Sequence, residues 1–132
     1  MTRLSPVRER WFPQLAVEDY SVTSPATDRY NCFAWVLRLT NTWVEPNEDD
    51  PLALFRESGF SNASDAELAP GWEHVAVYAD EQGVTHAALQ LPSGRWTSKL
   101  GSWEDIEHER PDSLRGPLYG DRVTILRSRR EL

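Results

Sequence analysis

Apolar and polar residues follow two different periods in the two halves of the chain. In the first half, apolar residues recur at the i, i+3, i+4 and i+7 spacing of one helix face: Cys32, Trp35, Val36 and Leu39. We predict a helix from Cys32 to about Thr40, with Asn31 as its N-cap, because an asparagine side chain accepts a bond from an unpaired N–H of the first turn. A second short helix is predicted from Pro51 to Gly59.

The second half carries short segments rich in β-branched and aromatic residues, separated by turn signals: residues 72–80, 84–91, 95–100 and 121–127. We expect an antiparallel meander with tight connections at Gln82-Gly83 and at Pro92-Ser93-Gly94, and a turn-rich insertion from Gly101 to Gly120. Helices followed by such a meander predict an α+β fold.

Length and composition indicate one globular domain over residues 1–132, with an irregular segment at 1–27 and a core at 28–126. The 132 residues are 39% hydrophobic and carry a formal net charge of -7. That charge opposes binding to nucleic acid or to an anionic membrane. No apolar run is long enough for a membrane span. The single cysteine excludes an internal disulfide and fits a reducing compartment, so we expect a cytoplasmic protein, with signal-independent secretion left open.

The cysteine is the first candidate for chemistry. A thiolate is the reactive form of cysteine, and the first turn of a helix favours negative charge. Cys32 directly follows the predicted cap residue. A nucleophilic cysteine also needs an imidazole nearby. His86 lies inside a predicted strand between small residues that leave room for a helix end, and we favour it as the base over His74, which opens the preceding strand.

The group that orients the imidazole depends on the strand register. A three-residue connection at Pro92–Gly94 places Ser98 on the same face as His86, whereas a two-residue connection offers Thr97 and Lys99 instead. The sequence leaves both registers open. His108 reaches the site from the insertion or, as the preferred interpretation, anchors a turn through a hydrogen bond or ion pair.

Four segments together resemble a known family: "YNCFAWVL", "HVAVYAD", "THAALQLPSGRWTSKLGSWEDIEH" and "GPLYG". They resemble a bacterial family of small domains that is similar to the NlpC/P60 and CHAP branch of the papain-like cysteine hydrolases. The resemblance covers roughly residues 28–120. It implies a papain-like core, hydrolysis or acyl transfer at an amide bond, Cys32 as nucleophile and His86 as general base. It also implies a polar third residue on the next strand, which falls on Ser98 or its neighbours.

Around this expected site we assign supporting roles. Backbone N–H groups at the helix start, with Asn31, are expected to hold the oxyanion. The candidates for substrate contact are Tyr30, Trp96 and Lys99. The alternative interpretation is packing for the two aromatic residues and an ion pair with Asp105 or Glu104 for Lys99. No cofactor is expected, since no glycine-rich phosphate loop occurs. The expected partners are a peptide or amide substrate or a protein.

Two further functions compete with the hydrolase. The same domain could be a non-catalytic binding module, such as an immunity, adaptor or defence component, which holds a peptide or partner in its cleft. A zinc site built from Cys32, His86 and His108 has suitable ligand types but lacks compact metal-ligand spacing.

Overall fold

The computed structural model describes residues 2–129. The helices are α1 (Pro6–Glu9), α2 (Pro13–Ala16), α3 (Cys32–Val36) and α4 (Ala53–Glu57), with a 3-10 turn at Pro111–Leu114. The strands are β1 (Ser21–Ser24), β2 (Ser61–Asn62), β3 (Trp72–Asp80), β4 (Gly83–Gln90), β5 (Trp96–Lys99), β6 (Asp105–His108) and β7 (Arg122–Arg129). All seven strands form one antiparallel sheet in the order β1-β6-β5-β4-β3-β7-β2.

The predicted fold class is wrong. The fold is β-rich rather than an α+β papain-like core with N-terminal helices, because seven strands build the domain and no described helix exceeds five residues. Helices of four or five residues are too short to form a packed layer of their own. They lie over the sheet, whose strands form most of the backbone hydrogen bonds of the domain.

The predicted meander is confirmed in its central strands. The four expected segments appear as β3, β4, β5 and β7, and β3 pairs with β4 on one side and β7 on the other. The N–H of Leu91 donates to the carbonyl of Arg95 at 2.7 Å, which fixes Pro92–Gly94 as a three-residue connection. The register that places Ser98 on the His86 face is therefore the one the protein adopts.

The sheet separates two apolar clusters, since successive side chains of a strand point to opposite faces. Side chains of the first cluster, the α3 face, pack under α3 and α4: Val75, Val77, Ala87, Leu89 and Leu126. Side chains of the second cluster, the N-terminal face, pack under residues 4–20: Ala76, Tyr78, Ala88, Trp96 and Ile106. The N-terminal segment thus carries helices, a strand and core residues, contrary to the irregular conformation expected for it.

The helix at Cys32 is shorter than predicted. Asn31 is its N-cap, as expected, but the helix ends at Val36 rather than near Thr40. Arg38 adopts the left-handed conformation at φ 61°, which terminates the helix. Its guanidinium pairs with Glu73 on β3 at 3.1 Å. The helix therefore ends next to a residue that forms an ion pair with a strand distant in the sequence.

Candidate functional site

Asn31 holds the start of α3 against the following loop. Its side-chain oxygen accepts from the N–H groups of Ala34 at 3.1 Å and Val44 at 3.2 Å, and its amide nitrogen donates to the Val44 carbonyl at 2.6 Å. One of the two side-chain N–H donors of Asn31 is therefore engaged in a structural bond. These three bonds fix the position of Asn31 and of the helix start that carries Cys32.

Cys32 is buried on the α3 face, where it packs among Phe33, Val36 and Ala87. Burial raises the pKa of the thiol to about 12, although the backbone N–H of Ala87 donates to the sulfur and lowers it in part. The helix start was expected to lower this pKa. Desolvation raises the pKa of Cys32 more than the start of a one-turn helix lowers it. Cys32 is therefore a neutral thiol at neutral pH.

His86 lies on the opposite face of the same strand. Its ring stacks on Tyr119 with centroids 4.1 Å apart and planes 5° apart, and Tyr78 packs against it at 5.2 Å. The side chain is buried, and neither ring nitrogen has a hydrogen-bond partner within residues 2–129. Burial lowers the pKa of this imidazole well below its usual value, with a further contribution from His108. His86 is therefore neutral.

The expected hydrogen-bonded pair of Cys32 and His86 is not formed. The sulfur contacts the N–H of Ala87, the residue directly after His86, while the imidazole points away to the N-terminal face. The two groups are neighbours across one strand, and no hydrogen bond joins them. Neither charge nor contact activates the thiol in this arrangement.

Ser98 and His108 form a separate buried pair on the N-terminal face. Ser98 Oγ lies 2.8 Å from His108 Nε2, and His108 Nδ1 lies 3.0 Å from the carbonyl of Arg110. Because a carbonyl only accepts, Nδ1 carries the hydrogen and Nε2 accepts from the serine hydroxyl. Burial lowers the pKa of His108 to about 4, against an opposing effect of the Arg110 carbonyl. Ser98 therefore orients His108 and not His86.

The remaining predicted contacts belong to the framework. Tyr30 donates to Asp105 Oδ2 at 2.9 Å and stacks on Trp35. Lys99 donates to three carbonyls, those of Thr27, Gly101 and Trp103. Trp96 is buried in the core of the N-terminal face. These side chains tie the segment before α3 to β5 and β6.

The zinc alternative is not assembled either. No group of three or more histidine, cysteine, aspartate and glutamate side chains is arranged to hold a metal ion in the part of the chain that the structure describes. Cys32 lies on the α3 face, whereas His86 and His108 lie on the other.

An open cleft of about 440 Å³, which no sequence pattern predicts, lies at the end of the sheet. Two segments line it, residues 68–74 before and within β3, and residues 90–92 at the β4–β5 connection. Its wall is mostly apolar, and the Arg127 guanidinium lies over the Trp72 ring, 4.3 Å from the ring centroid. The only sequence signal was the turn residues at Pro70-Gly71 and Pro92, which indicate loops but not that the loops meet.

Two polar side chains of this cleft have unpaired buried atoms. Gln90 donates its amide to the Ala66 carbonyl at 2.9 Å, which leaves Oε1 without a partner, and His74 Nδ1 is unpaired as well, within residues 2–129. Val75 faces Leu89 in the β3–β4 register, so His74 and Gln90 occupy directly opposite positions. A second cleft of about 680 Å³, between residues 79–82 and 116–122, has no such atom among its lining residues.

Comparison with other proteins gives one match. No curated protein and no solved structure matches the chain. Among residues 2–129, no helix has the length and apolar character that a membrane span needs. The profile of a domain family of unknown function, DUF7689, matches residues 21–127, which include strands β1 to β6, most of β7, the apolar cluster of the α3 face and the cleft. The chain therefore belongs to the DUF7689 family.

Proposed function

We propose that this domain is a non-catalytic binding module whose ligand occupies the cleft between residues 68–74 and 90–92. The observation that carries the proposal is the pair of unpaired buried atoms, Gln90 Oε1 and His74 Nδ1, in a cleft of about 440 Å³. A buried polar atom without a partner costs about 1–3 kcal/mol. A bound ligand that supplies the missing bonds removes that cost. The volume lies in the range of small-ligand sites.

The state of Cys32 also supports binding over catalysis. A nucleophilic cysteine requires a thiolate or a base in contact with the sulfur. Burial raises the pKa of Cys32 to about 12, and no hydrogen bond joins it to His86. Cys32 and His86 line neither the 440 Å³ nor the 680 Å³ cleft.

The proposed partner is a peptide or protein rather than nucleic acid, because a net charge of -7 repels phosphates. We place this activity in the cytoplasm, since an unpaired cysteine fits a reducing compartment.

A titration followed by two-dimensional ¹H–¹⁵N NMR tests the binding proposal. The probes are small amides, carboxylates and aromatic alcohols, each added to the folded chain. We expect at least one probe class to shift the signals of Gly71, the Trp72 indole and the Gln90 side-chain amide, equally in the wild type and in Cys32→Ala. Probes that shift only signals around Cys32 and His86, or none in the cleft, would overturn the proposal.

A second candidate is a cysteine-dependent hydrolase or acyltransferase that acts on an amide. The observation in its favour is that His86 has two unpaired buried nitrogens and directly precedes the residue whose N–H contacts the sulfur. In this mechanism, Sγ would attack the amide carbonyl and lose its proton to His86, which requires a rearrangement that brings the imidazole to the α3 face. His86 would return the proton to the leaving amine, and water or an acyl acceptor would then release the acyl group from Sγ. Iodoacetamide that labels folded Cys32 near pH 6.5 faster than a free thiol would favour this candidate.

A further inference from the structure

We propose that the cleft ligand is a peptide segment in extended conformation, bound through the N–H and C=O of one residue with an apolar side chain beside them. This inference rests on the proposed binding function and names the class of ligand. A peptide backbone is distinguished from other apolar ligands because each residue carries one donor and one acceptor.

Gln90 sets the requirement for a donor. The bond from its amide nitrogen to the Ala66 carbonyl fixes the orientation of the amide, so the atom left over is the oxygen, which only accepts. The ligand must therefore present an N–H or O–H to Gln90 Oε1. A carboxylate or an ether has no such hydrogen and leaves this atom unpaired.

His74 supplies the complementary partner. It lies opposite Gln90 on the neighbouring strand, and side chains directly opposite in an antiparallel pair have Cβ atoms about 4.5–5.5 Å apart. With a hydrogen on Nδ1, the ring donates to a ligand carbonyl. One residue of an extended chain directs its N–H and its C=O to the same side, as in a hydrogen-bonded strand pair. Such a residue satisfies His74 and Gln90 together.

The rest of the cleft suits the side chain of that residue. Its apolar lining is formed by Leu68, Ala69, Pro70, Leu91 and Pro92. Leu68 is 49% exposed, which leaves apolar surface available to a ligand. It also borders the β4–β5 connection, since a Cβ placed on Gly94 would lie 3.2 Å from its terminal carbon. A leucine-like side chain buries apolar area against these residues while the backbone makes the two polar contacts.

A matched pair of peptide mimics tests the inference. The probe is N-acetyl-leucine N′-methylamide, and the control is the same compound with a methyl group on the leucine nitrogen, which removes the N–H that would reach Gln90. NMR titration of the wild type should give a dissociation constant at least about fivefold larger for the methylated compound, in line with the loss of one hydrogen bond. In Gln90→Met, which lacks the acceptor, the two compounds should bind equally.

The outcomes separate this inference from the function it rests on. Equal binding of the two compounds to the wild-type cleft overturns the peptide assignment and leaves the binding function in place. Binding of carboxylates or aromatic alcohols but not of either leucine compound has the same consequence. If no probe of any class shifts the cleft signals, both the inference and the proposed function fail. Gln82→Met, at an exposed residue outside this cleft, is the control variant that must retain the preference.

Discussion

The region around Cys32 and His86 and the cleft around His74 and Gln90 differ mainly in access. Both hold buried polar atoms without partners: His86 has two unpaired ring nitrogens, and the cleft has His74 Nδ1 and Gln90 Oε1. Around His86 the space is filled by the rings of Tyr78 and Tyr119, so no ligand reaches the ring. At the end of the sheet, the two unpaired atoms are also buried, but the side chains that carry them line an open volume. We therefore take an unpaired atom as a sign of binding only where its side chain borders a cleft.

Chemical residue types alone point to the region around Cys32 and His86, whereas the binding site that we propose is the cleft. Cysteine and histidine are the side chains that sequence analysis weighs first, and here packing neutralises both. The cleft is lined mainly by glutamine, tryptophan, proline and leucine, together with His74, the histidine that the sequence did not favour as a base. In this domain, the unpaired hydrogen-bonding atoms of the cleft therefore indicate a different site from the one that the nucleophile motif indicates.

Glycine substitutions should give the largest contrast between the regions. A Cβ on Gly120, next to the ring that covers His86, would lie 2.8 Å from the backbone carbon of Ala79, and Gly120 has φ +88°. Gly71, in the cleft, has φ +82° and open space around its Cβ position. We expect Gly120→Ala to lower the free energy of unfolding by at least about 3 kcal/mol and Gly71→Ala by about 1 kcal/mol. Urea denaturation measures both, and equal losses would contradict the packing described.

The two buried histidines should respond differently to phenylalanine. His108→Phe leaves the Ser98 hydroxyl and the Arg110 carbonyl unpaired, and we expect a loss of about 2–4 kcal/mol. His86→Phe retains the ring stack on Tyr119 and removes two unpaired nitrogens, so stability at pH 7.5 should stay within about 1 kcal/mol of the wild type. Chemical denaturation measures the free energy of unfolding of both variants. A loss for His86→Phe as large as that for His108→Phe would contradict the unpaired state of the His86 ring.

The acid side of the stability profile should also depend on His86. Its pKa is lowered in the folded state, so below about pH 6.5 the unfolded chain binds a proton that the folded chain does not. The contribution of His86 to the free energy of unfolding is thus fully present above pH 6.5. It falls by about 1.4 kcal/mol for each pH unit below that value. When the pH is lowered from 7.5 to 5, the free energy of unfolding of His86→Phe should therefore rise by about 2 kcal/mol relative to that of the wild type. Parallel pH profiles for the two proteins would refute the buried neutral ring.

The sequence predicted the central strands because their signal is local. Segments of eight or nine residues rich in β-branched and aromatic side chains identify β3 and β4, and Asn31 identifies its own helix start. The strands β1 and β6 were missed, since four residues give too few positions for a periodic signal and their pairing partner is distant in sequence. With β1, β2 and β6 unrecognised, the helices were given too much weight and the fold class was wrong.

The candidate site was less predictable than the fold because burial decides its chemistry. The position of Cys32 after a cap was correct, but the sequence does not show that the thiol would be covered by Val75, Val77 and Ala87. Of the two strand registers that the sequence left open, the protein adopts the one that places Ser98 on the His86 face, yet the imidazole bonded to Ser98 is that of His108 in the insertion. The cleft joins residues about 20 positions apart across a hairpin, and neither of its segments has a pattern that predicts binding.

The rate at which iodoacetamide labels Cys32 tests the central claim most directly, because it reports both the access and the charge of the thiol. We predict that at pH 7 the folded protein is labelled at least about 100-fold more slowly than the chain unfolded in guanidinium chloride, since burial disfavours the thiolate and labelling requires local opening. Mass spectrometry of the time course gives both rates. Labelling of the folded protein faster than a free thiol would contradict the account and identify Cys32 as an activated nucleophile.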